Sequence, residues 1–163
     1  MANVMIAKPD LSDAGTITSA TSEVAATPAT NLQDPQLTKR WVAVAAVSTA
    51  TITVNLGSTV SWRLAALLGT NFDSSAKLRL RAASTAASVT AGPSLTTTIT
   101  FWPAGASTTW GAVNGFILLA STVNYQHLDL TVSTTNNVIT SQAFRAGRLY
   151  ISDVFQPVKY AEF

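Results

Sequence analysis

Residues 76–82 read AKLRLRA: Leu78 and Leu80 fall on one side, and Lys77, Arg79 and Arg81 on the other. Such a period of two belongs to a half-buried β-strand, because successive side chains of a strand point to opposite faces. The same alternation recurs along the chain. In TITVNL at 51–56, Ile52, Val54 and Leu56 point inward and Thr51, Thr53 and Asn55 outward. WVAVAAV at 41–47 puts Trp41, Ala43, Ala45 and Val47 on one face, and YQHLDLTV at 125–132 does so with Leu128, Leu130 and Val132. VSWRLAALL at 60–68 is read as a strand with Val60, Trp62, Leu64 and Ala66 on one face, running into a buried Leu67-Leu68. LTTTITFW at 95–102, FILL at 116–119 and FRAGRLYISDVF at 144–155 complete the set. Turns are expected at Gly57-Ser58, Asn114-Gly115 and Asn136-Asn137, and loops at 69–73, at 83–95 around Gly92-Pro93 and at 104–111. Roughly eight to ten short strands with turn signals every 8–12 residues make a sandwich or barrel.

Composition supports this and excludes alternatives. Only 11% of the 163 residues are charged, against about 25% in an ordinary domain, while 47% are hydrophobic, which excludes intrinsic disorder. Ala, Ser and Thr together supply 66 residues, so the surface lacks the Lys, Glu and Gln of a helical bundle. There is no cysteine, hence no disulfide and no thiolate metal site. A net charge of +2 with no basic run is not a nucleic-acid footprint. No apolar run approaches the ~20 residues of a membrane span, and residues 1–15 lack the pattern of a secretory leader. Neither nucleic-acid binding nor membrane insertion is expected. Residues 1–30 are weakly patterned and read as an extended arm with one or two short strands, ordered on assembly; residues 31–163 form the sandwich domain.

Three segments in order resemble a known family. Asn31-Leu32 precedes Trp41; ITVNLG at 52–57 precedes Val60, the run to Leu68 and Asn71; and HLDLTVS at 127–133 precedes FRAGRLYISDVF. This order is similar to the discoidin-type, galactose-binding-like jelly roll, with Asn55 where that family usually has Asp, and Asp129 near a position where Arg is common. A variant in short, cysteine-free proteins of tailed bacteriophages shares the N-L…W opening, the L-G…L-A-L-L-G-x-N run and a G-R-L closing strand. Those correspond to Asn31-Leu32 with Trp41, Leu56-Gly57 with residues 64–71, and Gly147-Arg148-Leu149. The resemblance implies an all-β jelly-roll sandwich. It further implies a non-enzymatic virion component of the tail tip or baseplate, assembled in the host cytoplasm on a symmetric ring of neighbours or as a homo-oligomer. A capsid decoration protein is a close variant. A Thr/Ser/Ala surface with few charges suits that role, since uncharged groups are cheaper to desolvate than unpaired ions.

Chemistry-bearing residues are sparse. His127 is the only histidine and shares a strand face with Asp129; without a second His, zinc and triad chemistry lack their groups. Glu23 and Glu162 are the only glutamates, and the aspartates are scattered over turns and strands, so paired acids for hydrolysis are not expected. No cofactor is expected. The resemblance raises calcium, for which Asn31, Asp34, Asn71 and Asp73 are the oxygen donors, though turn formation accounts for all of them. Trp41 and Trp62 read as core. Trp102, at a strand end, and Trp110, in a loop, read as interface or glycan contacts. Lys77, Arg79 and Arg81 form a basic stripe suited to interface charge or to guarding an edge strand. The alternative function is a carbohydrate-binding module for host-surface glycan, with a concave loop-end site and exposed aromatics.

Overall fold

The computed structural model describes residues 6–7, 9–19, 23–36, 38–44, 48–71, 76–100, 113–133 and 143–155. These carry ten strands, one α-helix and two short 3-10 helices (Leu11–Ala14 and Ala29–Gln33): β1 (Ile6–Ala7), β2 (Thr16–Ser19), β3 (Trp41–Val42), β4 (Thr49–Thr70), β5 (Lys77–Ala83), α1 (Ala86–Ala91), β6 (Leu95–Thr100), β7 (Val113–Ser133), β8 (Arg145–Ala146), β9 (Arg148–Ser152) and β10 (Val154–Phe155). A six-stranded sheet runs in the order β2-β4-β7-β5-β6 with β9 also on β4, and the two-stranded pairs β1-β10 and β3-β8 flank it. All pairings are antiparallel.

At about 3.3 Å per residue, β4 would span roughly 70 Å if straight, far more than a domain of this length allows, since its radius of gyration is about 15 Å. β4 and β7 therefore bend, and the bends are visible as register shifts between Asn55 and Val60, Trp62 and Leu64, and Leu67 and Thr70. Each shift locally bends and twists the strand. The sheet thus folds over into two layers. A broad layer holds β2, the first half of β4, the second half of β7, β5 and β6; a narrow layer holds β9, the second half of β4 and the first half of β7. Their inward side chains form one core. Ile17, Ile52, Val54, Leu78, Leu80, Leu128 and Leu130 come from the broad layer, and Ala65, Leu67, Ile117, Leu149 and Ile151 from the narrow one.

Several local expectations are corrected here. Gly57-Ser58 is no turn between strands: both lie inside β4, and Gly57 at φ +80° takes up the left-handed backbone of a bulge. Residues 51–56 and 60–68 are therefore one strand. Nor is Asn114-Gly115 a turn; it lies inside β7, and the Asn114 Oδ1 accepts the Gly69 N–H at 2.8 Å. The expected loop at 83–95 contains α1, which starts at Thr85, whose Oγ1 accepts the Ser88 N–H, and which buries Val89. Of residues 41–47, only Trp41–Val42 form a strand, with Ala43 bridged to Glu23; 45–47 lie outside the described residues. The face expected for 60–68 holds only to Trp62. Beyond Arg63 the inward positions are Ala65 and Leu67, while Leu64 and Leu68 turn outward.

In its described part, the stretch expected as an arm supplies an edge strand and a clasp. β2 pairs with β4, and Ile17 is buried. Asp10 Oδ1 accepts the N–H groups of Ser12 and Ile151 at 2.9 and 3.0 Å, and its Oδ2 accepts Arg148 at 2.9 Å. Arg148 also donates to Asp13 at 2.6 Å and to the Gln33 carbonyl. This half-buried cation therefore ties residues 10–13 to β9 by charge-assisted hydrogen bonds.

Candidate functional site

The outer face of the broad layer is built from the outward positions of alternating strands. Cross-strand register places Thr18, Thr53, Asp129, Arg81 and Thr96 in one row. Thr16, Asn55, His127 and Ala83 form the row on one side, and Thr51, Thr131, Arg79 and Thr98 the row on the other. Hydroxyls meet across strands: Thr18 and Thr53 at 2.7 Å, Thr51 and Thr131 at 3.1 Å. Such pairs are the side-chain counterpart of the backbone ladder.

α1 packs against β5 and β7 at one end of this face and turns a flat surface into a groove. Ala86 and Val89 form one wall and Thr16 and Thr18 the other, above a floor of Thr53, Asn55, His127 and Asp129. The cavity measures about 350 Å³, within the size range of small-ligand sites. Asp129, only 2% exposed, pairs with Arg81 at 3.2 Å between Oδ2 and Nη2. Burial pushes the Asp129 carboxyl above its ordinary 3.8, and the charge and hydrogen bond of Arg81, with the charge of Arg79, pull against that rise. The Arg81 Nη1 reaches the Thr90 carbonyl of α1 at 3.5 Å, so the ion pair also anchors the helix end. The Asn55 Oδ1 is occupied by the Gly57 N–H and the Gln126 amide at 2.9 and 3.1 Å, which orients its NH₂ as a donor. The His127 imidazole makes no hydrogen bond among the described residues. The groove thus presents hydroxyls that donate and accept, a fixed amide, an imidazole and an ion pair, over a floor with little net charge.

The structure brings together some of the residues singled out in the sequence and not others. His127 and Asp129 share the groove floor, as their spacing predicts. Arg81 belongs to the groove through Asp129, whereas Lys77 and Arg79 continue the same face beyond it; Arg79 donates to the Thr131 hydroxyl at 3.5 Å. Trp41 and Trp62 are core residues at 0% exposure, and their indole nitrogens have no partner among the described residues. Trp102 and Trp110 lie outside the described residues. The described calcium donors are each engaged elsewhere. Asn71 is consumed by the Ala143 carbonyl and the Arg145 N–H, Asn31 binds the Arg40 carbonyl, Asp34 binds Lys39 at 2.6 Å, and Asp73 lies outside the described residues. Among the described residues no group of three acidic or histidine side chains is placed to hold an ion. Sequence reasoning missed the contributions of β2 and α1. The signals were Thr16-x-Thr18 on one strand face and the Thr85-x-x-Ser88 helix start.

No protein-family model matches the chain, and no curated protein matches it. Solved structures do. Chitosan-binding module 1 from a chitosanase/glucanase of Paenibacillus sp. IK-5 aligns with a TM-score of 0.64 at 18% identity, covering 88% of this chain and 98% of that one. Module 2 of the same enzyme, in complex with chitotriose, aligns at 0.62 and 19%, covering 88% and 99%. The lectin-binding domain of lectinolysin, as a mutant complexed with Lewis b, aligns at 0.64 and 10%, covering 90% and 96%. These neighbours are carbohydrate-binding modules, and nothing in the likeness links the chain to a phage virion. The virion, tail and baseplate expectations thus stand without support. At these identities the likeness establishes architecture: the chain has the all-β, galactose-binding-like sandwich fold.

Proposed function

We propose that the protein is a non-catalytic carbohydrate-binding domain and that the groove between β2 and α1 takes the sugar. The observation that carries this reading is the floor of Thr53, Asn55, His127 and Asp129, a mixed set of donors and acceptors in a cavity of about 350 Å³. A polyol needs partners that both donate and accept at each hydroxyl, and hydroxyl, amide and carboxylate groups supply them. The Asp129–Arg81 pair adds charge-assisted bonds, roughly twice as strong as neutral ones. The fold likeness to modules whose complexes hold chitotriose and Lewis b supports the ligand class. Among the described residues the groove holds a single carboxylate, Asp129, without a second acid opposite, which supports binding without hydrolysis.

A glycan array with the full chain tests the proposal, followed by titration of the best saccharide against His127→Ala and Asn55→Ala. The expected result is specific binding that weakens about ten-fold or more in each variant. Absence of any saccharide ligand contradicts the function. Binding that survives both groove variants but is lost in Trp110→Ala contradicts the location and moves the site to that loop.

A further inference from the structure

We infer that the saccharide is an acidic one, and that Lys77 and Arg79 on the outer face of β5 form the subsite for its carboxylate or sulfate groups. This inference rests on the carbohydrate reading above and names its ligand class. Three cations stand on one face of β5 at alternate positions, about 7 Å apart. Among the described residues only one is neutralised, Arg81 by Asp129. Lys77 is flanked across the strands by Ser133 and Thr100, and Arg79 by Thr131 and Thr98. Every direct cross-strand neighbour of these two cations is therefore a hydroxyl, where an opposite charge would stabilise the pair and like charges repel along the strand. Lys77 and Arg79 are both exposed, and the Lys77 ammonium makes no hydrogen bond or ion pair among the described residues. With no acid opposite them, an anion of the ligand is what completes this row. The flanking Thr and Ser hydroxyls can donate to the same anion, and Arg79 offers a planar fork that matches a carboxylate or sulfate.

The strip also lies in the right place. Thr131, beside Arg79, is two residues along β7 from Asp129 on the groove floor, so the strip and the groove form one continuous surface. A chain of sugar residues can occupy the groove with one unit and reach the strip with the next. Two cations are few for a duplex nucleic acid, whose binding calls for many phosphate contacts.

The test uses the full chain and three polymers: dextran sulfate, polygalacturonate and neutral dextran, titrated calorimetrically at low and at physiological salt. The wild type is expected to bind at least one anionic polymer about ten-fold or more tightly than dextran, with affinity falling as salt rises. Lys77→Ala/Arg79→Ala is expected to lose about ten-fold, Lys77→Glu/Arg79→Glu to lose binding altogether, and Lys77→Arg/Arg79→Lys to retain it. Both side chains are exposed, and unchanged melting temperatures confirm that the variants fold. Whether the sulfated or the uronate polymer binds more tightly identifies the anion. Equal affinity of wild type and alanine variant for the acidic polymers overturns the inference. So does equally tight binding of duplex DNA or phosphatidylserine vesicles, which would mark general polyanion attraction. Specific binding of neutral saccharides only overturns the acidic ligand and leaves the groove reading standing. Absence of any saccharide ligand, acidic or neutral, overturns both.

Discussion

β4 and β7 run through both layers of the sandwich, and the side chains that they turn outward change character where the strands slip register. Before the slip, the outward positions are Thr51, Thr53 and Asn55 on β4 and His127, Asp129 and Thr131 on β7. After it, they are Leu64, Ala66 and Leu68 on β4 and Phe116 and Leu118 on β7, joined by Tyr150 and Val154 in an apolar hollow of about 350 Å³. Phe116 is 62% exposed there. Two cavities of equal size thus sit on the two outer faces with opposite chemistry. On β4 the inward positions change from even to odd between Trp62 and Ala65, across the register shift from Trp62 to Leu64. One strand pair thus supplies both a hydrogen-bonding face and an apolar face. The hydroxyl, amide and carboxylate groups that can hydrogen-bond a polyol lie on the first of these faces.

The inward and outward assignment itself can be broken first. Leu67 is fully buried and Leu68, its neighbour, is turned outward. Leu67→Ala should cost about 3 kcal/mol of stability in urea unfolding, and Leu68→Ala under about 1 kcal/mol; equal losses would show that the parity switch is misplaced. Next in size is the ion pair of the polar face. Arg81→Ala leaves the buried Asp129 unpartnered and should cost about 2 kcal/mol, below the figure for a fully enclosed pair because Arg81 keeps some solvent contact.

Asp129 also has a pH signature. A carboxyl held above its unfolded value makes the folded state bind the extra proton. Its stabilising contribution is therefore complete below about pH 3.8 and is lost as pH rises through the folded pKa. Asp129→Asn removes this slope, so the stability of the variant relative to wild type should climb between about pH 4 and pH 7. A constant difference across that range would refute the burial-driven shift. Asp34 has the opposite sign: its hydrogen bonds to Lys39 and to the Gln36 N–H hold its carboxyl below 3.8. The smallest effects are expected on the exposed faces. Thr53→Val should cost about 0.5 kcal/mol through the lost Thr18 hydroxyl pair. Phe116→Thr should leave stability within about 0.5 kcal/mol while reducing the binding of a hydrophobic dye.

The layer chemistry was legible in the sequence where alternation was uninterrupted. Leu78 and Leu80 inward with Arg79 outward, and Ile52 and Val54 inward with Thr53 outward, follow from period two alone. Legibility failed at Gly57 and Arg63. A glycine within a run reads equally as a turn or as a bulge, and only pairing with β7 across both sides of it decides between them. It failed again at Ala86–Ala91, because a six-residue helix is too short to be stable by itself even with three Ala and is held by burial of Val89 and the Thr85 cap. For the site, His127 and Asp129 could be placed on one face, but not opposite Thr53 and Asn55, since strand partners more than seventy residues apart leave no trace in local spacing.

Amide and side-chain chemical shifts, followed by NMR during titration with the best saccharide from the array, test the central claim most directly. The expected shifts are confined to residues 16–18, 51–55, 77–81 and 127–131, with residues 64–68 and 116–118 unmoved. Shifts centred on the apolar face, or none on the polar face when the sugar is bound, would contradict that claim.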